Sequence, residues 1–313
     1  MLFPSSAPAL AAKYNLLPTQ TTHRINLLNA FSLSPDPNLT PSQTPNTRIL
    51  EIGCGQGDCT ALLAHLIGPT GHIDAIDPAP LDYGSPETLG AAQARLKMHP
   101  EIGGRISFHQ CTPDEFFARA STQGLEPGDY REGRGQRYDA AILCHCLWYF
   151  SSSTDVLNTL RAAKHHAHKL CVAEWSLASQ HPAAMPHVLT ALTRAACEAH
   201  IPDSDQNIRT LLSPAEIKKL AKEAGWGVVR EGMVHPDEEL DDAKWEVNML
   251  LGEDDGAGFL RRAREDVGGV GLERERVLGL LASMLDSVKE SVKGVCDGGG
   301  NVRCMDVWWG IFE

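Results

Sequence analysis

Three glycines at alternate positions, Gly53, Gly55 and Gly57, stand between two carboxylates, Glu51 and Asp58. Glycine lets a backbone turn sharply and approach a ligand where any Cβ would collide. The run Arg48–Ile52 before the glycines reads as a short buried strand, and the run from Asp58 to Leu66 after them as a helix. Amides at a helix start point at whatever lies over such a loop. Strand, glycine loop and helix together make a cradle for a nucleotide-like cofactor. The two carboxylates narrow the choice, because they would repel a pyrophosphate and attract a cation. A dinucleotide loop would also carry a small residue at position 58, where this chain has Asp. A ligand with an adenosine, a positive charge and no phosphate fits better.

Asp77 lies twenty positions beyond Gly57, at the end of the second expected strand, Gly71 to Asp77. A carboxylate there can accept both hydroxyls of a ribose; the alternative is a helix cap before Pro78. The stretch Glu51-Ile52-Gly53-Cys54-Gly55-Gln56-Gly57 resembles motif I of the class I S-adenosylmethionine-dependent methyltransferases, and Asp77 matches the acid of their second motif. The resemblance implies S-adenosylmethionine as cofactor and S-adenosylhomocysteine as product. It implies cofactor contacts at Glu51, Gly53, Cys54, Gly55, Gly57, Asp77 and Pro78. In that family an Asp commonly follows the third strand and meets the adenine amine. Here the aligned stretch is Gln110-Cys111-Thr112-Pro113-Asp114, so Thr112 takes that place and the adenine contact stays open.

Tyr138 to Phe150 resembles the family's fourth strand, where an aromatic-Asp pair leads into an apolar strand that ends between cofactor and acceptor. Cys144 then borders the cofactor. His145 is the first candidate base, since an imidazole titrates near neutrality. His23, on a helix ahead of the cofactor strand, is the second, with Arg24 beside it. Trp148 and Tyr149 could wall the acceptor pocket or pack beneath the next helix. Glu174 ends the fifth strand and could orient a substrate amine or a catalytic histidine. His187 and Asn207, in the segment that follows, are further substrate candidates. No metal is expected: Cys144-His145 and Glu174-Trp175 lack the oxygen ligands of magnesium-dependent relatives. The run Lys164-His165-His166-Ala167-His168-Lys169, with lysines at both ends, reads as a solvated helix end.

These residues need a frame. The order of strand and helix signals implies an α/β, doubly wound, seven-stranded and mostly parallel sheet, with an antiparallel last strand at Asn301–Phe312 and helical lid insertions. Residues 1–45 read as an N-terminal helical segment and a proline-rich linker. The methyltransferase domain is expected over 46–313, its core at 46–180, 213–235 and 300–313 and its insertions at 181–212 and 237–297. At 313 residues the chain can bury a sizeable core. A net charge of −12 without any Lys/Arg-rich run leaves no footprint for nucleic acid or an anionic membrane, so a small-molecule substrate is expected. Nine scattered cysteines suggest reduced thiols. The first residues lack the pattern of a signal peptide and no apolar run is long enough to span a bilayer. Together these point to a cytoplasmic protein. The expected chemistry is methyl transfer to a nucleophilic N, O, S or C of a small molecule. The alternatives are a non-methylating enzyme such as a cyclase, or a non-catalytic partner, on the same fold. Neither the acceptor nor the oligomeric state is written in the sequence.

Overall fold

The computed structural model describes residues 6–33, 46–85, 87–122, 137–202, 204 and 206–313. The linker containing Pro35, Pro37 and Pro41 and the polar loop at 126–136 lie outside these residues.

Seven strands form one sheet: β1 (Arg48–Ile52), β2 (His72–Asp77), β3 (Ile106–Gln110), β4 (Tyr138–Cys144), β5 (Ala167–Trp175), β6 (Val228–Val234) and β7 (Val307–Phe312). Their spatial order is β3-β2-β1-β4-β5-β7-β6, with β7 antiparallel to both of its neighbours and the other described pairings parallel. Parallel strands covered on both faces must be apolar almost throughout. Ile49, Leu50 and Ile52 of β1, the run Ala140–Leu143 of β4 and the run Leu170–Ala173 of β5 are accordingly buried. The strand order reverses between β1 and β4, and this opens a crevice at the carboxyl ends of the strands.

Helices α3 (Asp58–Leu66), α4 (Leu89–Lys97), α5 (Pro113–Thr122), α6 (Ser153–His166) and α8 (Pro214–Glu223) connect the strands. Local chemistry sets their limits. The Ser152 hydroxyl accepts from Asp155 N at 3.1 Å to start α6, and Ser213 caps α8 ahead of Pro214. Gly225, at φ +88°, follows the end of α8.

The helices outside this frame make two further bodies. Helices α1 (Ala7–Tyr14) and α2 (Pro18–Phe31) are separated at Pro18, as the sequence suggests. Leu27, Leu28 and Phe31 bury α2 in the main core, and α2 packs against α3 and β7. Helix α7 (Met185–Glu198), from the first insertion, packs against α9 (Asp242–Leu251) and α11 (Gly271–Asp297) from the second, and α10 (Ala257–Asp266) packs against α9 and α11. The two insertions therefore form one helical cap with small apolar clusters of its own, around Cys197 and Leu281 and around Leu250, Leu285 and Val288.

The last strand is shorter than expected. It begins at Val307, because the amides of Arg303 and Met305 bond to Ala183 and His187 of the first insertion, and that of Asp306 to Ala178 just before it, instead of to a neighbouring strand.

Candidate active site

All three loop glycines have positive φ: +76° at Gly53, +51° at Gly55 and +91° at Gly57. Their surroundings differ. A Cβ on Gly53 would lie 2.4 Å from Cys146 Cβ, and one on Gly57 would lie 2.7 Å from Leu96 Cδ1, so close packing fixes both. A Cβ on Gly55 would have nothing within 4 Å, so Gly55 faces open space over the loop. Asp77 holds the loop from β2: Oδ2 accepts from Gly55 N at 2.8 Å and Oδ1 from Ala79 N at 2.9 Å. One lone pair on each oxygen is left for a ligand hydroxyl.

Glu51 lies below the loop, 2% exposed, and accepts the Thr60 hydroxyl at 2.5 Å. Burial pushes its carboxyl up to about 7, against that hydrogen bond. Cys54 is buried beside it, and burial foremost raises its thiol. Pro78 is exposed at the rim. Thr112 has another occupation: its hydroxyl accepts from Glu115 N at 3.2 Å and its N–H donates to Glu115 Oε2 at 2.9 Å, a capping box that starts α5.

Beyond Cys144, His145 takes φ +53°, a conformation that costs energy for a residue with a Cβ and that clusters at functional sites. Its N–H donates to Ala173 O at 2.9 Å, which ties the turn to β5. The imidazole is aimed at α2, where His145 Nε2 and His23 Nε2 are 2.9 Å apart. One ring must present N–H there and the other a bare nitrogen. His145 Nδ1 stands 3.5 Å from Glu174 Oε1. Trp175 backs the pair, stacked on His23 with rings 5.9 Å apart and tilted against His145 at 4.4 Å. Burial lowers both imidazole pKa values well below the ordinary range, assisted by the charge of Arg24 nearby. Both rings are therefore neutral near pH 7.

Glu174 is 1% exposed and sits behind His145. It accepts from Leu147 N at 2.9 Å and Trp175 N at 3.0 Å. Burial pushes its carboxyl up to about 7 against those two amides. It is placed to orient the histidine, with no surface toward an acceptor. Trp148 is also buried, and its indole donates to Leu212 O at 3.1 Å, so it anchors the end of the first insertion. His187 accepts from Met305 N at 3.1 Å and meets Trp175 edge-on at 4.9 Å. Burial and then His145 bring its pKa down to about 3.

Tyr149 and Asn207 are less enclosed. Tyr149 keeps 44% of its surface open, yet burial, followed by Glu246, Glu174 and Asp242, raises its hydroxyl pKa. Asn207 Oδ1 accepts from Tyr83 OH at 2.9 Å, a link from the first insertion to the loop after β2.

Sequence reasoning singled out His23 and Arg24 but missed the polar roof they belong to. Gln20, His23 and Arg24 share one face of α2, and Asp242 and Glu246 one face of α9. Gln20 Nε2 donates to Asp242, and Arg194 of α7 pairs with Glu246. Burial opposes the charge of Arg24, and Asp242 foremost among the acids around it more than offsets that, so its pKa stays raised. The i, i+4 spacing on each helix was the available signal.

A family described as "Methyltransferase domain" matches residues 23–231, which is more than half of the chain. The chain belongs to this methyltransferase family. Two proteins of Diaporthe leptostromiformis resemble it along almost all of its length. One, described as methyltransferase phomM′, is 30% identical over 96% of this chain and 85% of its own. The other, methyltransferase phomM, is 29% identical over the same shares. Among solved structures, a cyclopropane-fatty-acyl-phospholipid synthase-like protein from Lactobacillus casei has 28% identity and a TM-score of 0.67. That match covers 94% of this chain and 90% of the bacterial one.

The methyltransferase uses S-adenosylmethionine, and its residues fit that cofactor. Gly55 leaves room for a ligand against the backbone. Asp77 offers free lone pairs at the ribose position. Arg24 Nη1 is buried with no hydrogen-bond partner among the described residues, a place for an anionic group. Among the described residues no helix is long and apolar enough to cross a membrane.

Proposed function

We propose that the methyltransferase acts on a nucleophilic N, O, S or C of a small molecule held between the crevice and the helical cap, with His145 as the base. The observation that supports this most is the placement of His145: a neutral imidazole, in a strained backbone conformation at the end of β4, 2.9 Å from His23 and 3.5 Å from Glu174. The bound cofactor supplies an activated methyl group on a sulfonium. The chain then has three tasks. The glycine loop and Asp77 hold the adenosine end, with Glu51 bracing the loop through Thr60. Tyr149 and Asn207 border the acceptor and the cap keeps water from it. His145 works through His23. His23 Nδ1, without a hydrogen-bond partner among the described residues, takes the acceptor's proton while the His23 Nε2 proton passes to His145 Nε2. Glu174 beside His145 Nδ1 stabilises the imidazolium that forms. Proximity and orientation supply most of the rate, since the donor is already reactive.

The enzyme should be incubated with methyl-labelled S-adenosylmethionine and a fractionated extract of small molecules, and the products weighed by mass spectrometry. Label in a low-mass product is the expected result. Label in nucleic acid or protein would overturn the acceptor class. Cofactor recovered intact while a substrate rearranges would indicate a cyclase.

A further inference from the structure

Arg24 is out of place for an ordinary helix arginine. It lies on the face of α2 that looks at the crevice, next to His23, and not on the solvent face. Four carboxylates feel its charge: Asp242 of the cap, Asp58 at the start of α3, Glu51 under the glycine loop and Glu174 behind His145. No described salt bridge includes it, and its Nη1 is buried and without a hydrogen-bond partner among the described residues. A buried guanidinium nitrogen without an acceptor is costly and uncommon. A ring of acids around one unpartnered cation is complementary to a zwitterion, with an anion on the arginine and an ammonium among the acids.

The position indicates which zwitterion. The side chains whose fields reach Arg24 include Cys59 and Asp58, directly after the glycine loop, and Cys144, the last residue of β4. A ligand whose ribose hydroxyls meet Asp77 would cross Gly55 and extend its other end towards these residues. We propose that Arg24 receives the carboxylate of the cofactor's amino-acid arm, whose ammonium lies among the surrounding acids. The inference rests on the methyltransferase reading, which requires that cofactor, and it adds a positioning role. A cofactor carboxylate that holds Arg24 also holds α2, and with it His23 against His145. The bound cofactor thus reinforces the 2.9 Å histidine pair.

Calorimetric binding to two ligands tests this without turnover. S-adenosylhomocysteine carries the amino-acid arm, and 5′-methylthioadenosine lacks it. Replacing Arg24→Met is expected to weaken S-adenosylhomocysteine about 30-fold, the scale of a lost charge-assisted contact, and to leave methylthioadenosine within about two-fold. Arg24→Lys should recover part of the difference. Equal losses for both ligands, or none for either, would overturn the inference and leave the methyltransferase reading intact. If the variant does not fold, the wild-type protein carries the test: decarboxylated S-adenosylhomocysteine should bind about 30-fold more weakly than the intact molecule, and equal affinity would overturn the inference. Failure of the wild type to bind S-adenosylhomocysteine at all would overturn the methyltransferase reading as well.

Discussion

A base that is already neutral needs no deprotonation before it can act, and burial puts His145 in that condition. His145→Ala should lower kcat by about 100- to 1,000-fold while binding of S-adenosylhomocysteine stays within about two-fold, a split that calorimetry and steady-state rates would separate. Glu174 sets the pH dependence. Its carboxyl keeps its proton up to about 7, and only the ionised form stabilises an imidazolium. The rate should therefore rise with pH through about 7, and Glu174→Gln should remove this limb and lower the plateau. The same raised pKa has a consequence for stability with the opposite direction. The contribution of the protonated, buried carboxyl is fully present below the unfolded value near 4.5 and is lost as pH rises through about 7. Glu174→Gln should accordingly raise the melting temperature more at pH 8 than at pH 4.5. His145 and Asp77 were legible in the sequence because each ends a strand at the crevice, where side-chain identity carries function. Arg24, Asp242 and Glu246 did not declare themselves as a set. Polar residues on amphipathic helices are ordinarily solvated, and only the tertiary approach of α2 to the cap, linked through Gln20 and Asp242, turns them inward.

At the scale of elements, the glycine loop separates two kinds of necessity. Gly53 is confined by Cys146, and Gly55 by nothing of the protein's own. Gly53→Ala should cost about 2 kcal/mol or more of stability, since left-handed strain and a 2.4 Å contact combine. Gly55→Ala should cost only about 1 kcal/mol by its conformation. Its larger effect should fall on S-adenosylhomocysteine, whose path the new methyl group obstructs. Thermal melting with and without ligand would distinguish the two; a Gly55 variant that binds normally would remove the loop from the cofactor site. Helix limits were readable where a capping residue marks them, as at Ser152 and Ser213. The start of β7 was not. Asn301–Asp306 has ordinary strand composition, and the amides of Arg303, Met305 and Asp306 bond to a segment more than a hundred residues earlier.

Over the whole molecule, stability is unevenly shared. The sheet, its flanking helices, α1–α2 and parts of α7 and α9 share one large cluster, whereas α10 and α11 rely on two small ones. Hydrogen exchange should therefore be faster in α10 and α11 than in β1, β4 and β5. Leu285→Ala should speed exchange in the cap while the central strands keep their protection; uniform loss of protection would show one cooperative unit instead. The sheet could be read in advance because parallel, doubly covered strands leave a dense apolar signal. The cap could not, because several packings satisfy the same helical periodicity. One pairing bears on how such a protein can diversify. Val234 closes β6 and Val307 opens β7, and the two are register partners in adjacent antiparallel strands. The sheet therefore meets residues 235–306 as a single oversized hairpin whose ends touch. Its contents can be lengthened, shortened or exchanged among lineages without changing the distance the scaffold must bridge. Acceptor preference and methyl-transfer chemistry are then free to evolve at different rates.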